Sequence, residues 1–337
     1  MKMTSTNSTQ QWVLASRPEG TPTSENFRLE TAELPELADG QILVRNDIAS
    51  VDPYMRGRMN DVKSYIPPFQ IDEPLTGYAV GTVKESRSEK FKVGDTVRHF
   101  SGWRTLALLD DSEAEAVDTD AAPAAAYLGI LGMTGLTAYA GLTAVGELKE
   151  GDVAFISGAA GAVGSAAGQM AKHLGASRVI GSAGSAEKIE YLKKIGFDDA
   201  FNYKDGDVTG QLAKAAPEGI DFYFDNVGGD HLEAAIDNLN TFGRVAMCGA
   251  IAQYNSTEPA PGPANLGLAI GKCLTLRGFV VGQYSQLARE FQERIAPLVI
   301  DGSIDYDVTT RSGIENMPGA FLELFEGSNT GKMVVEL

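Results

Sequence analysis

Residues 151–168 read Gly151-Asp-Val-Ala-Phe-Ile-Ser-Gly-Ala-Ala-Gly-Ala-Val-Gly-Ser-Ala-Ala-Gly168, an apolar run that passes through small residues into the helix formers Gln169 to Lys172. Val153 to Ile156 has the length and β-branched content of a buried parallel strand. Ala159-x-Gly161-x-x-Gly164 then occupies the three positions of a dinucleotide-binding turn. Position 159 is expected to make the tight turn and Gly161 to bring the backbone to the phosphates. Gly164, with Ala167 and Gly168, is expected to let the helix lie close on the strand, its N-terminal amides facing the anion. Alanine at 159 departs from strict Gly-x-Gly, so the turn alone does not separate a phosphate site from a glycine-rich connection without a ligand.

The array that follows decides between them. Strands are expected at Arg178–Gly181, Ala200–Tyr203, Asp221–Asp225, Arg244–Cys248 and Thr275–Val281. Helices fall at Ala186–Ile195, stopped by Gly196, near His231–Leu239, and at Leu287–Ile300. Strands alternating with helices at this spacing imply an α/β, doubly wound parallel sheet of the Rossmann kind, which takes its ligand at the carboxyl ends of the strands. An enzyme of this kind that uses NAD carries an acid about 20 residues past the first glycines to hold the ribose hydroxyls. Here the corresponding stretch is Gly181-Ser182-Ala183-Gly184-Ser185, with no carboxylate to repel a 2′-phosphate. Lys188 opens the next helix and Tyr203 ends the third strand, both within reach of that phosphate, so NADP is the expected cofactor.

Size allows two domains in 337 residues. The chain is 43% hydrophobic but has no apolar stretch near the ~20 residues of a membrane span. Met1 to Gln11 is polar, reads as a frayed tail, and lacks the apolar segment of a secretory signal. Two cysteines are too few for a disulfide framework, which makes a reducing, cytoplasmic location the expectation. A formal charge of −17 argues against nucleic acid or an anionic membrane as partner. An anionic cofactor must then be gripped by local donors against the overall field. There is no Cys-x-x-Cys, and His99, His173 and His231 are far apart, so no metal is implied.

Before the array, strand-like runs at Ile42–Asn46, Tyr78–Val83, Asp95–Phe100 and Thr105–Leu108 are broken by Gly, Pro and Asp, which reads as a β-rich, partly open barrel. Ile304–Asp307 and Lys332–Glu336 are two further strands, the second expected to return to this first domain. The domains are therefore expected at 1–130 with 302–337, and at 131–301, with the ligand cleft between them.

At this point the chain resembles the medium-chain dehydrogenase/reductase superfamily, with its GroES-like barrel and Rossmann domain. More narrowly it resembles the zinc-free branch of prostaglandin, alkenal double-bond and curcumin reductases. The carriers are Val51-Asp52-Pro53-Tyr54-Met55-Arg56, Gly132-Met133-Thr134-Gly135-Leu136-Thr137-Ala138-Tyr139, Ala159 to Ser165, Phe224-Asp225-Asn226-Val227-Gly228-Gly229, Cys248 to Asn255, and Gly331-Lys332. The resemblance implies reduction of the carbon–carbon double bond of a hydrophobic enone or enal. Hydride goes from the cofactor to the β-carbon, a proton to the α-carbon, and a hydrogen-bond donor is needed where charge develops on the oxygen. The tyrosine of the Gln-Tyr-Asn string, Tyr254, is implied beside the substrate carbonyl, with Tyr54 and Tyr65 facing it from the first domain. Cofactor contacts are implied at Met133 and Thr134, at Ala160, Gly161, Ala162, Val163 and Gly164, at Asn226 and Val227, and at Cys248, Gly249 and Ile251. Phe279, Val280 and Val281 are implied to border the nicotinamide, with Asn329 and Gly331 reaching it from the C-terminal segment. The apolar edge of Thr275–Val281 should be covered, and a second copy of the chain would cover it, so a homodimer is expected. A quinone reductase of the same superfamily is the rival reading, and a cofactor-bound protein without turnover a third.

Overall fold

A computed structural model describes residues 7–337, which divide into two compact units: the described residues up to Leu128 with Val308–Asn329 and Met333–Leu337, and Gly129–Asp307 with Thr330–Lys332. The first unit opens with β1 (Ser8–Leu14) paired antiparallel to β2 (Phe27–Glu33). The tail expected over Met1–Gln11 is thus a strand from Ser8 onward, while residues 1–6 lie outside the described residues. Alternation explains it: Thr9, Gln11 and Val13 face inward, and Thr9 Oγ1 donates to the Leu106 carbonyl at 2.9 Å. β3 (Gln41–Ser50), β4 (Ala79–Ser86), β5 (Thr96–His99), β6 (Leu106–Asp110) and β7 (Glu115–Ala116) follow, with short helices α1 (Met55–Arg58) and α2 (Ala124–Leu128). β3 is the spine, carrying β4 on one edge and β6 on the other.

The second unit contains β8 (Val153–Ile156), β9 (Arg178–Ala183), β10 (Asp199–Asn202), β11 (Ile220–Asp225), β12 (Leu239–Met247) and β13 (Thr275–Gly278). Every neighbouring pair is parallel, in the order β10-β9-β8-β11-β12-β13. That is the 3-2-1-4-5-6 order of a dinucleotide-binding sheet, whose strand order reverses between β8 and β11, where ligands bind. The sheet is flanked by α3 (Met133–Ala140), α4 (Ala162–His173), α5 (Ala186–Lys194), α6 (Val208–Ala215), α7 (Gly229–Asn238), α8 (Leu268–Lys272) and α9 (Ala288–Ile300). The core side chains, Phe155, Ile180, Tyr223 and Val245 among them, are buried on both faces, which is why the strands read as apolar runs.

Two strand expectations need correction. The sixth strand ends at Gly278, not Val281; Phe279 turns so that its ring stands edge-on to Phe224 at 6.3 Å. Ile304–Asp307 is not a strand. Its backbone is spent elsewhere: Asp305 N–H donates to Gln169 Oε1 at 2.8 Å and the Asp307 carbonyl accepts from Lys332 N–H at 2.9 Å. The strand there is β14 (Val308–Ser312), followed by α10 (Met317–Glu326) and β15 (Lys332–Glu336). Val334–Glu336 pairs antiparallel with Ile48–Ser50 of β3. Met317, Phe321 and Leu324 of α10 close the core of the first unit over Trp103 and Phe27.

Candidate active site

The loop between β8 and α4 builds the phosphate end. Gly158 has φ +56, the left-handed region that favours glycine, so the tight turn is at 158 and not at 159 as expected. Ala159 is instead drawn fully into the core, its N–H donating to the Ser182 carbonyl of β9 at 2.9 Å. Gly161 caps α4 in extended conformation, and the first-turn amides of Ala162, Val163 and Gly164 have no carbonyl one turn back to bond. They are donors for an anion, favoured by the dipole of a 12-residue helix. A Cβ on Gly164 would stand 2.4 Å from the Gly158 carbonyl oxygen and 2.7 Å from Ala159 Cα, so only glycine lets the helix start this close to the turn. Gly331 reaches the same loop: its N–H donates to the Ala160 carbonyl at 2.8 Å.

Past the end of β9 no carboxylate is present in the Gly184-Ser185 turn. Ser185 caps α5 by accepting the Lys188 N–H at 3.3 Å. A Cβ on Gly184 would lie 3.1 Å from Tyr203 Cε1 and 3.1 Å from Lys204 Cε, so both side chains lean over this turn. Burial, and then the charge of Lys204, lower the Lys188 pKa below its ordinary value. Lys204 is a second cation that the sequence reading missed. The signal was available in the register: Asn202 pairs with Ala183, so the residues just past β10 lie beside Gly184 and Ser185. The Tyr203 ring meets His231 of α7 edge-on at 5.1 Å, which holds it at the carboxyl edge of the sheet.

Beyond β11 and β12 lies the other end. Asn226 ties the β8 loop to β11, its N–H donating to Ser157 Oγ at 3.0 Å and its Nδ2 to the Ser157 carbonyl at 2.8 Å. Val227 follows it, and Cys248, Gly249 and Ile251 lie on the adjoining segment, with Gly249 N–H bonded to the Asp225 carbonyl at 3.0 Å. Burial pushes the Cys248 thiol up to about 12, so it is a neutral wall group. Tyr254 folds back over this segment: its hydroxyl accepts the Ala250 N–H at 3.3 Å, and a Cβ on Gly249 would stand 3.2 Å from it. Burial raises its pKa above the ordinary phenol value, only partly offset by the Ala250 amide. The hydroxyl is thus a protonated donor with its proton unspent on Ala250. Among the remaining positions in this unit, Thr134 is buried in the first turn of α3, which Met133 opens, and Phe279 packs on Gly141; Val280 and Val281 enter a 3-10 turn.

Tyr54 and Tyr65 belong to the first unit. The Tyr54 hydroxyl is buried with no hydrogen-bond partner among the described residues, and burial, then Asp52, push its pKa well up. Tyr65 is 63% exposed. Arg58 sits between Phe69, with its guanidinium 3.9 Å from the ring centroid, and Thr76, to which it donates at 2.8 Å. Asn329, the last residue of the segment Val308–Asn329, also falls in this unit. Among the described residues no group of three or more His, Cys, Asp or Glu side chains is placed to hold a metal ion, and no helix is long and apolar enough to cross a membrane.

A turn, helix and switch point of this kind define a dinucleotide-binding protein, and comparison with known proteins narrows the class to a nicotinamide-dependent oxidoreductase. Residues 10–117 match the model of the N-terminal domain of oxidoreductases, and residues 162–299 that of the zinc-binding dehydrogenases. The chain is 46% identical to a putative NADP-dependent oxidoreductase, YfmJ, of Bacillus subtilis, over 98% of each chain. It is 40% identical to the NADPH-dependent curcumin reductase of Escherichia coli, over 97% of this chain and 96% of that one. The crystal structure of CurA from Vibrio vulnificus in complex with NADPH superposes with a TM-score of 0.92 at 42% identity, covering 97% of this chain and 98% of that one. The chain belongs to the zinc-independent branch of the medium-chain dehydrogenases/reductases that holds the curcumin, alkenal and prostaglandin reductases.

Proposed function

We propose that this chain is an NADPH-dependent reductase of the carbon–carbon double bond of α,β-unsaturated ketones and aldehydes. The observation that carries the reading is the Tyr254 hydroxyl, half-buried at the carboxyl ends of β11 and β12 with its proton free to be donated. The residues present fit NADP(H). The first-turn amides of α4 suit a pyrophosphate, and Lys188, Tyr203, Lys204 and the acid-free Ser185 turn suit a 2′-phosphate. Asn226 and Val227 would hold the nicotinamide ribose. When bound, the cofactor supplies a hydride. Tyr254 donates a hydrogen bond to the substrate oxygen as negative charge grows there, and its raised pKa keeps it a donor rather than a base. In the first unit the buried Tyr54 hydroxyl has no hydrogen-bond partner among the described residues, and Tyr65 is exposed. Both cysteines are unpaired, in keeping with a reducing, cytoplasmic location.

The test is NADPH oxidation with an alkenal, an alkyl enone, a bulky diaryl enone and a quinone, with products identified by NMR. A saturated carbonyl compound is expected. Turnover of the quinone alone, or of nothing, overturns the reading in favour of a quinone reductase or a non-catalytic binder. We also read the chain as a homodimer: β13 is an edge strand largely exposed, and α8 beside it shows Leu268 and an 85%-exposed Ile270 to solvent. Light scattering at micromolar concentration should give twice the chain mass, and the monomer mass would refute it.

A further inference from the structure

The string Phe224-Asp225-Asn226-Val227-Gly228-Gly229 contains a carboxylate that neither the cofactor contacts nor the substrate donors account for. Asp225 is 1% exposed at the end of β11. Its Oδ1 accepts the Tyr223 hydroxyl at 2.7 Å, the Gly228 N–H at 2.8 Å and the Val227 N–H at 3.0 Å. Tyr223 is itself fully buried, with Ser157 Oγ 2.9 Å from its hydroxyl. The turn these bonds hold runs through Gly228 and Gly229, both at positive φ, +72 and +50; glycine reaches that region without strain but loses the most conformational freedom when fixed there, so the bonds to Asp225 are what select this conformation.

On that turn hangs the segment that carries Tyr254. The Asp225 carbonyl accepts from Cys248 and Gly249 at 2.8 and 3.0 Å, the Asn226 carbonyl from Ile251 at 3.4 Å, and the Val227 carbonyl from Ala252 at 3.2 Å. The Ala250 amide between these anchors is the one that bonds the Tyr254 hydroxyl. We propose that Asp225 is a positioning residue: through Val227 and Gly228 it fixes the turn, through the turn it fixes residues 248–252, and through them it places the Tyr254 hydroxyl. This rests on the reading of Tyr254 as the donor to the substrate, but the placement itself is testable without turnover. The β9 end of the site, at Gly184 and Ser185, has no bond to Asp225 among those described, so exchange there should respond independently.

Amide hydrogen exchange of the full-length protein reads this directly. Asp225→Ala leaves the Gly228 and Val227 amides without their acceptor and the Tyr223 hydroxyl with Ser157 Oγ alone, and exchange across 248–256 should speed up about tenfold or more. Asp225→Asn keeps one acceptor oxygen without the charge, and about threefold is expected. Exchange across 183–191 should stay within about twofold of wild type in both, as should the affinity for 2′,5′-ADP, while kcat for enone reduction falls about tenfold or more in Asp225→Ala. If Asp225→Ala does not fold, the asparagine variant decides. Unchanged exchange across 248–256 in the asparagine variant, or equal acceleration across both segments, overturns the proposal. A wild-type protein that reduces no enone would sink the functional reading and leave the exchange result to judge this one.

Discussion

Removing the two lysines at the β9–β10 edge should leave the protein scarcely able to distinguish NADPH from NADH. Lys188 sits on the first turn of α5, tied to Ser185 by its backbone, and Lys204 reaches back over Gly184 from just past β10. Each would donate a charge-assisted bond to a 2′-phosphate, worth about 1.5–3 kcal/mol. Both retain solvent contact, which favours the lower figure, and 1.4 kcal/mol is about tenfold in affinity. Lys188→Ala and Lys204→Ala should therefore each weaken NADPH about tenfold, and the double variant about a hundredfold if the two act independently. NADH, which lacks the phosphate, should change less than about twofold. The loss should be steeper at low ionic strength, because these charges are partly screened at 0.1 M salt, where the Debye length is ~10 Å. Quenching of intrinsic fluorescence gives both dissociation constants without turnover. Equal weakening of NADPH and NADH would refute the phosphate assignment, and a silent Lys204→Ala would remove Lys204 from it.

Two further predictions concern protons. Burial holds the Tyr254 pKa above its usual 10, so the protonated donor persists through the alkaline range; kcat for enone reduction should stay level up to about pH 10, and Tyr254→Phe should lower it about tenfold. A fall in kcat centred well below pH 10 that vanishes in the phenylalanine variant would contradict this. His231 is buried neutral, its pKa lowered by burial from 6.5 to about 4. Between those values the unfolded chain binds the proton and the folded one does not, so stability is complete above pH 6.5 and is lost as pH falls toward 4, by on the order of 3 kcal/mol. His231→Phe keeps the ring stacked on Phe155 and should flatten that part of the melting-temperature profile; parallel profiles for variant and wild type would rule the mechanism out.

The sheet was legible because a parallel strand buried on both faces must be a short apolar run, and Val153–Ile156 and Asp221–Asp225 meet that requirement with little latitude. What the sequence hid were choices made by tertiary contacts. Gly158 and Ala159 are both small, and only the bond from Ala159 to Ser182 decides that the left-handed residue is the glycine before it. Lys204 reads as one more surface lysine until the β9–β10 register brings it beside Gly184. Ser8–Gln11 looks like a polar tail because its inward residues are Thr9 and Gln11, satisfied by Leu106 and Glu30 rather than by apolar packing. Asp225 stands in a recognisable string, yet its role as an acceptor for Val227 and Gly228 depends on a turn with two positive φ angles that no local pattern announces.

The two ends of the site answer opposite electrostatic demands, and burial divides them. At the phosphate end the chain must attract an anion against its own net charge of −17, and it does so with helix amides, the half-buried Lys188 and the exposed Lys204, where water limits the repulsion between like charges. At the end beyond β11 Cys248 is held as a thiol and Tyr254 as a phenol, and the buried carboxylate there, Asp225, spends its charge on the Tyr223, Val227 and Gly228 donors rather than on the substrate. A fixed anion facing the substrate there would oppose the negative charge that hydride addition sends to the substrate oxygen. A protonated phenol held in place by the backbone of 248–252 stabilises it, and because the surroundings are desolvated that one hydrogen bond counts for more than it would in water. The chemistry thus depends less on any single reactive side chain than on how rigidly a neutral donor is held.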